Sequence, residues 1–354
     1  MARPRNSDDD PNNLAMPKRR VGAQSPQAKQ EYESALDRWC AAIIKMSEER
    51  DEQDDSFDVS SRGWCYLLEP HGLLKGDFDS AQRLINDCRK SGRLPLDICS
   101  DDERRSADNL ESLDESDPKV RAEEIVAYIA NAEEYYYPHS FWAAQDHYVE
   151  MMVEKIDLKN LFRTECEPFN IPIFNGGGWS DLNSRAAMMR RFRYWEREGK
   201  QCVLLYCGDL DPGGLRITDF IRSNLADMTR AVRWSPDDLI IDRFGIDLDF
   251  IRRHRVPWIE NLHTSKKGGL PLDDPRHPDH NKDYVQSYLQ MHGARKVEAT
   301  ALVAPRLVPH ARALCRKAIT KYLPADAPDQ YASSLELPRS KLRTEIKRLL
   351  KVAR

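Results

Sequence analysis

The chain has 354 residues, enough for two or three domains and a sizeable core. A formal net charge of −4 with 32% charged residues excludes a globally cationic nucleic-acid binder, so any basic surface has to be local. No run approaches the apolar length of a membrane span, the start lacks an apolar signal-peptide segment, and eight cysteines without a CxxC pair or metal-ligand spacing read as reduced thiols, so an intracellular protein with no membrane partner is expected.

Residues 1–26 are polar and rich in Pro, Asn and Asp, with Lys18-Arg19-Arg20 embedded, and are expected to be a disordered tail. From Gln27 to about Met46, Tyr32, Leu36, Trp39, Cys40, Ile43 and Ile44 recur at helical spacing, and an acidic linker runs from Glu48 to Asp58. Ser60 to Leu68, a loop with Gly72 and Gly76, a helix from Asp79 to about Ser91 and an apolar strand over Leu94–Ile98 follow. Helix, helix and short strand suggest a winged-helix module, a helix-turn-helix variant, and assign residues 27–110 to an N-terminal unit. Arg83, Arg89, Lys90 and Arg93 would give its second helix a basic side for DNA phosphates. The charged stretch Asp101–Glu124 and a helix from Glu123 to Tyr136, ended by Tyr137-Pro138, make residues 111–145 a linker with a bracing helix.

Tyr148 to Lys155 reads as a strand ending on Glu154. A helical segment (Leu158–Phe162), a short strand (Ile171–Phe174) and a Gly-rich turn (Gly176–Gly178) come next. A helix from about Ser180 to Arg197 then carries Arg185 into a buried strand, Cys202–Leu205. This series predicts an α/β unit over residues 146–325, with a parallel sheet and right-handed crossovers. Ligands of such sheets bind at the C-terminal strand ends. There the chain runs Tyr206-Cys207-Gly208-Asp209-Leu210-Asp211-Pro212-Gly213-Gly214, and a period of two points Asp209 and Asp211 the same way. Close carboxylates repel unless a cation lies between them, and all-oxygen ligation suits Mg²⁺. A plain βα loop with helix-capping aspartates is the other reading. Glu154 is expected at the same edge, and Glu150, on its strand face, is a further ligand or has a surface or ion-pair role.

Beyond the motif the pattern gives a helix from Leu215 to about Met228, a strand over Leu239–Phe244 and a helix with Arg252, Arg253 and Arg255. Lys266–Asp283 reads as a solvated loop: its His277 and His280, with Asp273, Asp274 and Asp279, match no zinc spacing. A helix from Pro305 to Tyr322 ends this unit. Residues 326–354 form a basic helix, with Leu342, Ile346, Leu349 and Leu350 as its apolar stripe, suited to clamping DNA, docking a partner or packing as a terminal helix.

A glutamate ending one strand and Asp-x-Asp ending a later one is the Toprim pattern. Val153-Glu154-Lys155 and Asp209 to Gly214 most resemble the Toprim domain of type IIB topoisomerase A subunits (topoisomerase VI) and the related meiotic double-strand-break proteins. The Gly-rich turn followed by Arg185 matches as well, and the resemblance spans about residues 55–325. It implies a Toprim fold (a Rossmann-like parallel sheet with flanking helices) behind a winged helix, with Mg²⁺ at Glu154, Asp209 and Asp211 to position a DNA phosphate. The family's catalytic tyrosine lies four residues after an arginine, as Tyr66 does after Arg62; Cys65 stands where a second aromatic is usual. A phenol with a pKa near 10 needs such help to become a nucleophile, and Tyr66, among Trp64, Leu67 and Leu68, also reads as core. Lys296–Leu302 resembles a late Glu-Leu-Asp-Ala-Leu segment with Thr300 replacing the aspartate, leaving Glu298 a structural role. The implied reaction is Mg²⁺-dependent transesterification of double-stranded DNA, leaving a 5′-phosphotyrosyl break. A homodimer is implied, each tyrosine working with the other subunit's metal site, and ATP-driven strand passage would need a separate GHKL ATPase B-type subunit. A Toprim nuclease that hydrolyses DNA through water, and a non-catalytic DNA-binding protein of the same fold, are the alternatives.

Overall fold

The computed structural model describes residues 14–18, 25–51, 59–99, 117–176, 182–263 and 270–352. Much of the acidic linker, residues 100–116 and Gly177–Gly178 of the Gly-rich turn therefore lie outside the described residues. The N-terminal unit begins with α1 (Pro26–Asp51), which buries Leu36, Trp39, Cys40 and Ile43 along one stripe. Leu14, inside the tail expected to be disordered, is buried instead: its carbonyl accepts the Trp39 indole N–H at 3.1 Å, and its N–H donates to His71. α2 (Ser61–Leu68) is N-capped by the Ser60 hydroxyl, which accepts the Gly63 N–H, and every residue from Gly63 to Leu68 is buried. α3 (Phe78–Lys90) packs across it. Leu94–Ile98 is not the expected strand: Leu96–Ile98 is a single 3₁₀ turn after Pro95. Among the described residues no strand completes a wing.

α4 (Pro118–Ala130) leads to the sheet. Its strands are β1 (His147–Val153), β2 (Ile173–Asn175), β3 (Gln201–Cys207) and β4 (Ile240–Phe244), in the order β2-β1-β3-β4 and all parallel. α5 (Ile156–Cys166) and α6 (Leu182–Arg197) make the first two crossovers, on opposite faces. On β1, Met151 meets Cys166 of α5 while the next residue back, Glu150, meets Arg191 of α6. Between β3 and β4 lie α7 (Pro212–Leu215), α8 (Ile217–Ala226) and α9 (Thr229–Val232). After β4 come α10 (Leu248–His254), α11 (Asp283–His292), α12 (Val308–Thr320), which packs on α5, and α13 (Ala327–Val352). The architecture is thus α/β, with a four-stranded parallel sheet, flanking helices and a Rossmann-like layout.

Two features of this fold position the site. The chain moves outward from β1 to β2, crosses back to β3 and continues to β4, so β1 and β3 flank the point where strand order reverses. Val153 pairs with Cys207, and Cys207 with Phe244, which sets the strand ends level there. The second feature is the late segment 296–303. Val297 bridges to Leu210 and Lys296 to Ile259, and a 3₁₀ turn at Ala299–Val303 packs against both α2 and α5. The N-terminal helices and the sheet thereby share one continuous apolar core.

Candidate metal and phosphate site

Glu154 is the first residue past β1, and its own N–H donates to the Cys207 carbonyl at 3.0 Å, extending the β1–β3 ladder by one rung. Its Oε2 accepts the Asp209 N–H at 2.9 Å and the Tyr206 hydroxyl at 3.3 Å. Tyr206 folds its ring across Gly208, where any side chain would collide with it. Asp209 is held from both sides: Oδ1 accepts the Ala299 N–H at 2.7 Å, while Oδ2 faces the Lys155 ammonium at 3.3 Å. The same ammonium lies 2.7 Å from Glu154 Oε1. Two carboxylates thus meet at the strand-order reversal and share one cation.

The electrostatics follow from that crowding. Burial, reinforced by the neighbouring Glu154 charge, pushes the Asp209 carboxyl up to about 7. Burial alone would raise Glu154 too, but the Lys155 ammonium and the Asp209 N–H outweigh it and hold Glu154 below the usual carboxylate range. Against the cost of its own burial, Lys155 is held above the ordinary lysine value by the Asp209 and Glu154 charges.

Asp209 and Asp211 do not share one direction by strand alternation, because β3 ends at Cys207 before either is reached. Asp211 instead N-caps α7, accepting the Gly214 N–H at 2.5 Å, as the capping alternative expects. A methyl group on Gly214 would overlap the Asp209 carbonyl, so Pro-Gly-Gly lets this turn close tightly on the Asp209 backbone. Asp211 and Glu154 line a cleft of about 700 Å³ together with Arg216, Phe220 and Tyr284. Among the described residues no three His, Cys, Asp or Glu side chains converge into a complete metal-ligand group. The donor chemistry nevertheless fits a hard divalent ion. Glu154 and Asp209 are oxygen donors already gathered around a positive charge, and Asp211 stands at the neighbouring turn.

Tyr66 and Arg62 stand one helical turn apart on α2 and meet the same carboxylate. The Tyr66 hydroxyl donates to Glu298 Oε2 at 3.1 Å, and Arg62 Nη2 lies 2.6 Å from that oxygen. Glu298 immediately precedes Ala299, whose N–H holds Asp209, so the phenol and the acidic pair of one chain are joined through two consecutive residues. Tyr66 is only 1% exposed, with Phe78 edge-on at 5.0 Å and the Lys75 ammonium 5.3 Å from its ring centre. Burial and the Glu298 charge push its phenol well above the ordinary tyrosine value. Glu298 itself, despite burial, is held below the usual carboxylate range by Arg62 and Lys296, the latter 3.8 Å away. Nothing in the sequence signalled Lys75 here, nor the contacts by which Glu298, Lys296 and Lys155 join the site, although all three lie within the family-like segments.

The other expected site residues divide. Arg83 and Lys90 are exposed on α3, Lys90 pairing only with Asp87 at 3.4 Å. Arg89 donates to the Leu96 carbonyl, and Arg93 forms surface ion pairs with Glu33 and Asp37 of α1. Arg185 reaches Asn224 of α8 rather than the carboxylates. Glu150 takes the expected ion-pair role, but in the core and not at the surface: it is fully buried and held by two Arg191 nitrogens at 2.7 Å and by the Tyr148 hydroxyl at 2.9 Å. In the His/Asp loop, Asp274 pairs with Arg276 and Asp279 with Lys282, while His280 bonds the Leu272 carbonyl. The basic terminal helix docks in part on the chain itself, through Arg339 on the Glu134 carbonyl and Arg343 on Glu133. No protein-family model, curated protein or solved structure matches the chain.

Proposed function

We propose that this protein cleaves DNA by Toprim-type, Mg²⁺-dependent transesterification, as the A subunit of a type IIB topoisomerase does. The observation that carries the reading is the pair Glu154 and Asp209, drawn around one cation where the strand order reverses. Glu154, Asp209 and Asp211 would hold the divalent ion, which when bound supplies charge stabilisation to a phosphate oxygen. The chain's own residues supply the rest. Glu298 is placed to take the phenolic proton from Tyr66, which it already accepts as a hydrogen bond. The Tyr66 oxygen would then bond to phosphorus as the bond to the 3′-oxygen breaks, and that oxygen would leave as a 3′-hydroxyl after taking a proton from water. Arg62, now paired with Glu298 and Asp79, would stabilise charge on the attacked phosphate. With Tyr66 buried, α2 has to part from the 299–303 turn before DNA reaches it. Cutting both strands calls for a homodimer, with the winged-helix-like unit on DNA; strand passage calls for a separate ATPase subunit.

The same burial favours a second reading, hydrolysis by water with Tyr66 structural. Incubation with end-labelled duplex DNA and Mg²⁺, followed by a denaturing gel, tests both. Cleavage with protein attached is expected, abolished by chelation and reduced at least about a hundredfold in D209N and E154Q, each of which removes a charge from the cation site. Cleavage undiminished in both variants overturns the metal-site reading; cleavage without attached protein selects hydrolysis.

A further inference from the structure

We propose that Lys155 is a built-in counter-cation, holding Glu154 and Asp209 together in the metal-free protein and giving up its place when a divalent ion enters. The inference rests on the reading of the acidic pair as a metal site. Lys155 is extended (φ −123°, ψ 145°), the backbone state in which neighbouring side chains diverge. Its ammonium nevertheless returns to its neighbour, 2.7 Å from Glu154 Oε1, and reaches across to Asp209 Oδ2 at 3.3 Å. The two carboxylates are 29% and 9% exposed, too enclosed for water alone to screen their repulsion. The inner oxygens, Glu154 Oε2 and Asp209 Oδ1, are taken by backbone N–H groups. The ammonium thus sits on the oxygen of each acid that no backbone donor holds. A lysine on a flexible four-carbon stem, itself 35% exposed, can leave for solvent or for a phosphate without moving the strand ends. Entry of a divalent ion therefore has to displace a resident charge, which lowers its apparent affinity by the free energy of the lysine contacts.

Two experiments decide it. By titration calorimetry with Mn²⁺, K155M is expected to bind on the order of tenfold more tightly than wild type, and K155R, which keeps a cation on the stem, close to wild type. D209N should lose binding. In the unaltered protein, amine-reactive labelling read by mass spectrometry should modify Lys155 slowly in chelator and several-fold faster in saturating Mg²⁺, a readout independent of any variant's folding. Unchanged or weaker Mn²⁺ binding by K155M, or labelling that Mg²⁺ does not accelerate, overturns the counter-cation. Wild type binding Mn²⁺ no better than D209N removes the metal site itself, and the inference with it.

Discussion

Tyr66→Phe is expected to abolish covalent attachment to DNA completely while leaving the protein folded. The phenol oxygen is the proposed nucleophile, and it is the only heavy atom the substitution removes. The structural cost is small. Phenylalanine keeps the edge-on contact with Phe78 and loses one hydrogen bond to Glu298, worth about 1 kcal/mol. Glu298 keeps Arg62 at 2.6 Å and Lys296 at 3.8 Å, so no charge is left bare. A denaturing gel beside a thermal melt separates chemistry from stability. An adduct surviving in Y66F would move the nucleophile elsewhere; equal cleavage by both proteins, with no adduct in either, would make Tyr66 a core residue and water the attacking group.

Arg191→Met has the largest expected effect on stability, about 3–5 kcal/mol, the usual cost of stranding one member of a buried ion pair. Glu150 lies at the centre of β1, fully buried, and takes both Arg191 nitrogens. Burial already pushes its carboxyl above the ordinary range despite Arg191, so loss of the guanidinium leaves it to be protonated or to open the strand. E150L/R191M, which removes both charges, should recover most of the loss. Urea midpoints of the three proteins measure this, and an R191M midpoint equal to wild type would show that the pair contributes nothing. The outcome bears on function because Glu154 immediately follows β1.

What could be read from residues alone was set by how local the determinants are. Tyr148–Val153 and Cys202–Leu205 are near-continuous apolar runs because parallel strands are covered on both faces, and both were recognisable as strands. The helix–strand alternation around them gave the parallel sheet and brought Glu154 to the edge where Asp209 lies. The direction of Asp211 was not legible, since it depends on β3 ending two residues before Asp209. Leu94–Ile98 is short and apolar, a pattern shared by strands and turns, and only its contacts with α2 and α3 settle it. The pairing of Arg93 with Glu33 and Asp37 was not legible either, because Glu33 on α1 lies 60 residues away in sequence. The Tyr66–Glu298 bond joins residues 232 apart in sequence, and no local spacing signals a contact of that kind.

The most direct test of the carboxylate site is a crystal grown in saturating Mn²⁺ and measured at the manganese absorption edge. The account predicts an anomalous peak about 2.1 Å from a Glu154 and an Asp209 carboxylate oxygen, with the Lys155 ammonium displaced. Crystals that show Lys155 still bridging the two acids and no anomalous density between β1 and β3 would contradict it.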